Sequence, residues 1–163
     1  MVQVPTVFGS LNDYEKGGVE IINGDPRHYV FSNMFEVAGK SKPYERVVVG
    51  KNLNYVQEVM RAEGVSSWMA CSHDEFALCM DGEITVELVK LKSPPPEDKE
   101  GAVLVKGEPE GPRMGTIRLK RGHQALLPGG SAYRLTAAKT GVIMQQTILG
   151  ELSVEKWREI CLR

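Results

Sequence analysis

The sequence has few of the features on which several protein classes depend. Its three cysteines, Cys71, Cys79 and Cys161, are odd in number and form no Cys-x-x-Cys pair. This argues against a disulfide framework and against a zinc knuckle. Reduced thiols of this kind are typical of a bacterial-type cytoplasmic protein.

Strong net charge and long apolar runs are also missing. The formal net charge is -1, so no basic excess points to nucleic acid as a partner. No apolar run reaches the roughly 18 residues that a membrane span requires. The first residues, MVQVPTVFGSLNDYEKGG, lack the basic start and apolar stretch of a signal peptide. We therefore expect a cytoplasmic protein that binds neither a membrane nor nucleic acid.

Short strand-like segments dominate the 163 residues, of which 42% are apolar. They are GVEIIN, RHYVFS, RVVVG, SWMACS, FALCM, EITVELVKL, AVLV, GTIRLK, QALLP, AYRLTA and VIMQQTIL. In EITVELVKL, Ile84, Val86 and Leu88 alternate with more polar residues, which places one face of a strand on a core. Strands this short and frequent predict a β-sandwich or a β-barrel.

Two segments have helical spacing. In NLNYVQEVMRAEG, apolar residues recur on one face, with Asn52 or Asn54 as the N-cap and Gly64 as the end. Those apolar residues are Leu53, Val56, Val59 and Met60. The C-terminal segment LSVEKWREICLR predicts a second helix after Ser153 as its N-cap. We interpret it as a lid on the barrel, and a partner-binding helix remains the alternative.

Two spacings resemble the paired motifs of the cupin family. Glu75 is followed by six residues and then Gly82, as in the first cupin motif. Gly122 is followed by five residues, Pro128-x-Gly130, two residues and then Tyr133, as in the second motif. The glycines and the proline suit the tight turns that join ligand-bearing strands. The resemblance implies an all-β, cupin-type β-barrel, a double-stranded β-helix or jelly roll, with one or two short helices including a C-terminal one.

Most of the metal ligands of that family are replaced here. A metal cupin holds its ion with three imidazoles and one carboxylate, and only the carboxylate, Glu75, is present. The paired histidine positions fall on Met69 and Cys71, or on Trp68 and Ala70, while the last falls on Tyr133 and the Asn position on Ala137. We therefore predict no catalytic residue and no metal ligand in this chain.

What remains is a relict site formed by His73, Glu75 and Tyr133. His73 lies in CSHDEF, a segment that favours a turn, and outside the ligand positions. We expect Tyr133 to fill the former metal site with its ring. Its hydroxyl needs a polar partner when buried, and Glu75 or His73 is the nearest candidate.

Longer stretches are similar to the small subunit of the two-component hydroquinone 1,2-dioxygenases. They are VFGSL, YVFSNMFEVAGKSKPYERVVVGKN, WMACSHDEFALCMDGE and QTILGELSVEKWREIC. The resemblance implies a cupin without cofactor that joins a larger cupin subunit, which carries catalytic Fe(II), in a heterotetramer of two small and two large subunits. Such a complex cleaves hydroquinone, a small aromatic substrate, to 4-hydroxymuconic semialdehyde.

The chain divides into an N-terminal extension of strands, residues 1–40, and a degenerate cupin barrel with its C-terminal helix, residues 41–163. Tyr29, Phe31, Met34 and Phe35 are the candidate subunit contacts, because aromatic residues and methionine are enriched in interface cores. Alternatively, they cover the outer sheet of the barrel itself.

Two other function classes stay open. A stand-alone cupin enzyme could use Tyr133, Glu75 and His73 for acid–base chemistry without metal. A ligand-binding or storage cupin would carry out no chemistry at all.

Overall fold

The computed structural model describes residues 10–14 and 32–160. In this part of the chain, two short helices accompany ten strands. The helices are α1 (Met34–Lys40) and α2 (Trp157–Ile160). The strands are β1 (Arg46–Asn52), β2 (Tyr55–Val65), β3 (Met69–Ala70), β4 (Glu75–Asp81), β5 (Glu83–Lys90), β6 (Val103–Leu104), β7 (Arg113–Lys120), β8 (Gln124–Leu127), β9 (Ser131–Ile148) and β10 (Ser153–Val154). The strand predicted at residues 18–23 and most of that at 27–32 lie outside the described residues.

The 18-residue strand β9 holds the sheet together. Along one edge it pairs with β2, from Tyr55↔Ile148 to Val65↔Thr136. Along the other edge its N-terminal half pairs with β5 and its C-terminal half with β4. Strands β7 and β8 continue the sheet beyond β5 and β4, so the sheet curls. The prediction of a cupin-type β-barrel is therefore confirmed, although β9 joins two segments that were predicted as separate strands.

Two apolar clusters stabilise the barrel. The inner cluster fills its interior and includes Met60, Ile84, Leu119, Leu135 and Ile143. The outer cluster lies between the sheet and the helices, where Val37 and Ala38 of α1 and Ile160 of α2 pack against Val47, Val59 and Val142. The described helices are much too short to cross a membrane. The C-terminal helix thus packs on the barrel as a lid, as expected.

The helix predicted over NLNYVQEVMRAEG is wrong, because this segment forms the end of β1, a turn and β2. Alternate residues of β2, including Val56 and Met60, face the barrel interior. Val59 points to the opposite face but is also fully buried, because α1 covers it. Burial on both faces produced an apolar spacing that matched a helix. Leu53 has φ 57° in the β1–β2 turn, and Gly64, expected to end the helix, lies at a register shift within β2.

Two further boundaries differ from the prediction. Ser153 does not cap a helix but lies in β10, which pairs in parallel with the start of β1. Helix α2 begins only at Trp157. Met34–Lys40 lies in the N-terminal extension that was predicted to consist of strands, but it forms α1, in which the Asn33 side chain accepts hydrogen bonds from Phe35 N and Glu36 N.

The glycines of both motifs lie in the turns that the spacing predicted. Gly82 joins β4 to β5 with φ 79°, and Gly130 precedes β9 with φ 74°. A side chain is unfavourable at such a φ, which explains glycine at both positions. These turns place Glu75 and Tyr133 on strands that enter the same barrel interior.

A close contact between Gly101 and Gly150 yields a matched test of packing. A Cβ on Gly101 would lie 2.4 Å from Gly150 Cα, whereas nothing lies within 4 Å of one on Gly107. Both glycines have φ near 70°, so alanine is strained equally at each. We expect G101A to lower the free energy of unfolding by about 1–3 kcal/mol more than G107A, as measured by urea denaturation. Equal losses would show that the chain relaxes around the added methyl group.

Candidate functional site

Arg46, the first residue of β1, is the centre of a buried ion cluster in the barrel. Its side chain is 2% exposed. Its Nε donates to Glu58 Oε2 at 2.5 Å and its Nη2 donates to Glu75 Oε1 at 2.7 Å. Its Nη1 donates to the Tyr133 hydroxyl at 2.7 Å and lies 3.7 Å from Met69 Sδ. We call these five residues the arginine cluster.

Each member of the arginine cluster comes from a different strand. Glu58 lies in the middle of β2 and Glu75 begins β4. Met69 on β3 and Tyr133 on β9 are directly paired across the sheet, so their side chains are neighbours. One guanidinium therefore connects β1, β2, β3, β4 and β9. Because the guanidinium is planar and has five N–H donors, it can bind several such acceptors at once.

The guanidinium contacts several residues that stand at cupin ligand positions, if the paired histidine positions are those of Met69 and Cys71 and not of Trp68 and Ala70. Met69, Glu75 and Tyr133 all fall at those positions, and Arg46 contacts each of them. Cys71, at the other paired position, is buried as well. The positively charged side chain of Arg46 thus lies among the residues at these positions.

The electrostatics of the cluster keep Glu75 ionised. Burial by itself would raise the pKa of Glu75, but the charge of Arg46 and the nearby Tyr133 hydroxyl outweigh it and hold the pKa below the usual 4.5. Burial, reinforced by the negative charge of Glu75, raises the pKa of the Cys71 thiol. Burial also raises the pKa of Tyr133 well above 10, although the charge of Arg46 opposes this. At neutral pH the thiol and the phenol therefore stay protonated.

These residues do not fit a divalent metal. Apart from Glu75, these positions offer a thioether, a thiol and a phenol in place of the three imidazoles of a metal cupin. Arg46 would also repel a second cation at the same position. Within residues 10–14 and 32–160, no group of three His, Cys, Asp or Glu side chains is placed to hold a metal ion.

The structure brings together two of the three residues predicted for the relict site. Tyr133 is 1% exposed and fills the interior, and Glu75 is fully buried beside it. His73 lies in the turn before β4, where its Nδ1 is 3.0 Å from the Asp74 carbonyl oxygen. No contact of His73 with Glu75 or Tyr133 occurs among the described residues. The Tyr133 hydroxyl accepts a hydrogen bond from Arg46 and is hydrogen-bonded to Glu75, so of the two expected partners the structure places Glu75, and not His73, beside it.

Two members of the cluster, Arg46 and Glu58, were missed from the sequence. Arg46 begins RVVVG, which the pattern showed only as a strand. Glu58 lies in the segment that was predicted as a helix and was not singled out there. Reading VQEVMRA with a period of two would have placed Glu58 on the inner face with Val56 and Met60. A carboxylate in that position requires a buried cation as its partner.

The candidate subunit contacts are only partly described. Tyr29 and Phe31 lie outside the described residues. Met34 and Phe35 are half-buried in α1, where both pack against the outer cluster. The ring of Phe35 stacks on Tyr14 with 6.2 Å between the centroids. Both residues therefore cover the chain's own sheet, and their contact with a partner stays a prediction.

The fold and the arginine cluster define a cupin domain built around an internal cation. Two solved structures match it along its whole length. Hydroquinone 1,2-dioxygenase PnpCD, in complex with Cd2+ and 4-hydroxybenzonitrile, contains a chain that is 60% identical, with a TM-score of 0.93 over 100% of this chain and 99% of that one. The enzyme from Sphingomonas sp. TTNP3 with 4-hydroxybenzoate bound is 55% identical, with a TM-score of 0.93 over 98% of each chain. The protein belongs to the hydroquinone 1,2-dioxygenase family.

A third comparison concerns a longer chain. In PnpCD in complex with Fe3+, this chain matches 40% of another chain at 12% identity, with a TM-score of 0.63 over 87% of its own length. At that identity the match shows only a shared fold. The PnpCD structures therefore contain a chain of this length and a longer chain with a similar barrel. No family model and no curated protein matches this chain.

Removing the guanidinium tests its structural role. R46M should lower the free energy of unfolding by about 3–5 kcal/mol, because Glu58 and Glu75 would lose their buried cation. The control is R121M, because the Arg121 side chain is 48% exposed and pairs with Asp81 at 2.9 Å. That variant should lose only about 1 kcal/mol. Equal losses in urea denaturation would contradict a special role for Arg46.

The pKa of Glu75 predicts how stability depends on pH. Because the folded-state pKa is lowered, the contribution of Glu75 is complete above its usual 4.5 and is lost as pH falls toward the folded value. E75Q should therefore lose less stability than the wild type as pH is lowered below about 5. In R46M the contribution of Glu75 should reverse, because without Arg46 burial raises its folded-state pKa and protonation then stabilises the fold as pH falls. Thermal unfolding between pH 7 and pH 3 measures the pH dependence of stability for the wild type and both variants. Parallel curves of melting temperature against pH for all three proteins would exclude a contribution from the Glu75 pKa.

Proposed function

We propose that this chain is the metal-free small subunit of an Fe(II)-dependent hydroquinone 1,2-dioxygenase that cleaves hydroquinone to 4-hydroxymuconic semialdehyde in the cytoplasm. The observation that carries the proposal is 60% identity over the whole length of a chain from such an enzyme. The related structures hold para-substituted phenols, namely 4-hydroxybenzonitrile and 4-hydroxybenzoate. Hydroquinone has the same para-substituted phenol framework.

The arginine cluster supports the assignment of iron to the larger subunit. Arg46 holds the cation position, and the surrounding residues keep the protons that a metal would have to displace. The role of this chain is then structural. It stabilises the larger subunit and helps to shape the pocket for the aromatic substrate. We assign no reaction step to its side chains.

Exposed apolar side chains support association with the larger subunit. Phe76 and Leu126 are paired on neighbouring strands and are 45% and 44% exposed. At the mouth of the barrel, Val65 and Leu104 are 61% and 54% exposed. Side chains of this type are buried when a partner covers them. In the proposed assembly of two small and two large subunits, residues 1–40 form the extension that contacts the partner and residues 41–163 form the barrel.

The stand-alone acid–base enzyme has less support. It required His73 to act with Glu75, but Glu75 is bound by Arg46 and the ring of His73 contacts Asp74. General acid–base catalysis requires the two groups to reach one substrate. No contact among the described residues favours a stand-alone enzyme over the proposed role as a subunit.

Expression with and without the larger cupin subunit tests the proposal. The chain alone should contain no stoichiometric iron and should not turn over hydroquinone. Co-expression should yield a complex with iron and with ring cleavage, followed by the absorbance of the semialdehyde and by iron analysis. An isolated chain that binds one equivalent of iron and cleaves hydroquinone would refute the subunit role. An inactive chain that does not bind the larger subunit would favour a ligand-binding cupin.

The N-terminal contact can be tested without removing α1. The double variant Y29A/F31A should weaken co-purification of the two subunits, because aromatic side chains dominate interface energies. The matched variant M34A/F35A should weaken co-purification and should also lower the thermal stability of this chain, because both side chains pack on its outer cluster. Undiminished co-purification of Y29A/F31A would place the interface elsewhere.

A further inference from the structure

Two side chains on the inner face of β9 carry polar atoms without a partner among the described residues. Gln145 is 0% exposed, and neither its Nε2 nor its Oε1 has a hydrogen-bond partner there. Thr147 is 4% exposed, and its Oγ1 also has none there. Buried polar groups in native proteins are nearly always hydrogen-bonded, to protein or to ordered water. These three atoms therefore require a partner that the surrounding side chains do not supply.

The strand register places these atoms beside the arginine cluster. Gln145 lies opposite Glu58 on β2 and opposite Ala77 on β4. Glu75 is two residues before Ala77 and so faces the same side of β4. Besides Arg46, the Glu75 carboxylate has the Tyr133 hydroxyl and the Cys71 thiol as hydrogen-bond partners, while its Oε2 meets no donor within strict hydrogen-bond geometry in the described part of the chain.

The mixture of donors and acceptors restricts what can bind between them. The amide N–H groups of Gln145 need an acceptor and its Oε1 needs a donor, and the Glu75 carboxylate can accept a further hydrogen bond. A metal ion would satisfy the oxygens but would be repelled by the amide N–H groups and by Arg46. An anion would be repelled by Glu58 and Glu75. Only a small neutral molecule that both donates and accepts satisfies the whole set.

We propose that the barrel interior binds ordered water between Gln145, Thr147 and Glu75. Each such water makes about three hydrogen bonds to buried polar groups. The water continues the network of the arginine cluster along the inner face of β9. The barrel of this chain is then a hydrated polar site with a cation of its own. This inference is independent of the proposed dioxygenase role, because it concerns side chains within one chain.

A crystal structure of the full chain, co-purified with its larger subunit if necessary, tests the site directly. At about 1.8 Å resolution or better, we expect density for at least one water at about 2.7–3.2 Å from Gln145 and Thr147 Oγ1. Direct hydrogen bonds from Gln145 to protein atoms, with no such density, would overturn the proposal. Density about 2.0–2.4 Å from several oxygens would instead identify a metal ion and overturn it too.

Thermal unfolding of T147V gives a second readout. If the hydroxyl binds water, valine removes one partner of that water and the melting temperature falls. If the hydroxyl is dry and unpaired, valine removes a buried polar group and the melting temperature rises. T136V is the matched control, because Thr136 lies on the same strand but is only half-buried. The proposal fails if T147V raises the melting temperature or lowers it no more than T136V does.

Discussion

A guanidinium between two carboxylates, buried in the barrel, is the interaction on which the rest of the structure depends. Burying three charges is costly, and the cost is offset only when every donor and acceptor is well placed. Arg46 meets that requirement through Glu58, Glu75 and Tyr133, which come from three strands. The Ser153 hydroxyl donates to the second oxygen of Glu58, which connects the cluster to the C-terminal segment. The position of each strand is therefore set by a shared electrostatic constraint.

The cluster brings together side chains from several strands of the cupin barrel at one buried point. In a metal cupin, the ion draws side chains from several strands to one point. Here the same strands converge on a covalently attached cation. The motif glycines form the turns between these strands, and Glu75 binds the arginine. The whole-length identity with a hydroquinone 1,2-dioxygenase chain places this arrangement in a dioxygenase family.

Local features were readable from the sequence, and distant pairings were not. The turns at Gly82 and Gly130, the barrel class and the burial of Tyr133 followed from spacing within short segments. The partners Arg46 and Glu75 are 29 residues apart in sequence, and Arg46 and Tyr133 are 87 apart. No local pattern encodes such a pair. Strand β2 was predicted as a helix for a related reason. Its outer face is buried by α1, which comes from a separate segment, so β2 has apolar residues on both faces.

The long strand β9 has a consequence for how the chain folds. Strands β2, β3, β4 and β5 all pair with β9, and all four precede it in the sequence. During synthesis, the edges of these four strands that pair with β9 stay unpaired until residues 131–148 have been made. Such non-local pairing slows folding, and open strand edges promote aggregation while they persist. The barrel can therefore close only after its penultimate strand has been made, in one late and cooperative step. Before that step, the open edges of the earlier strands must be protected from aggregation.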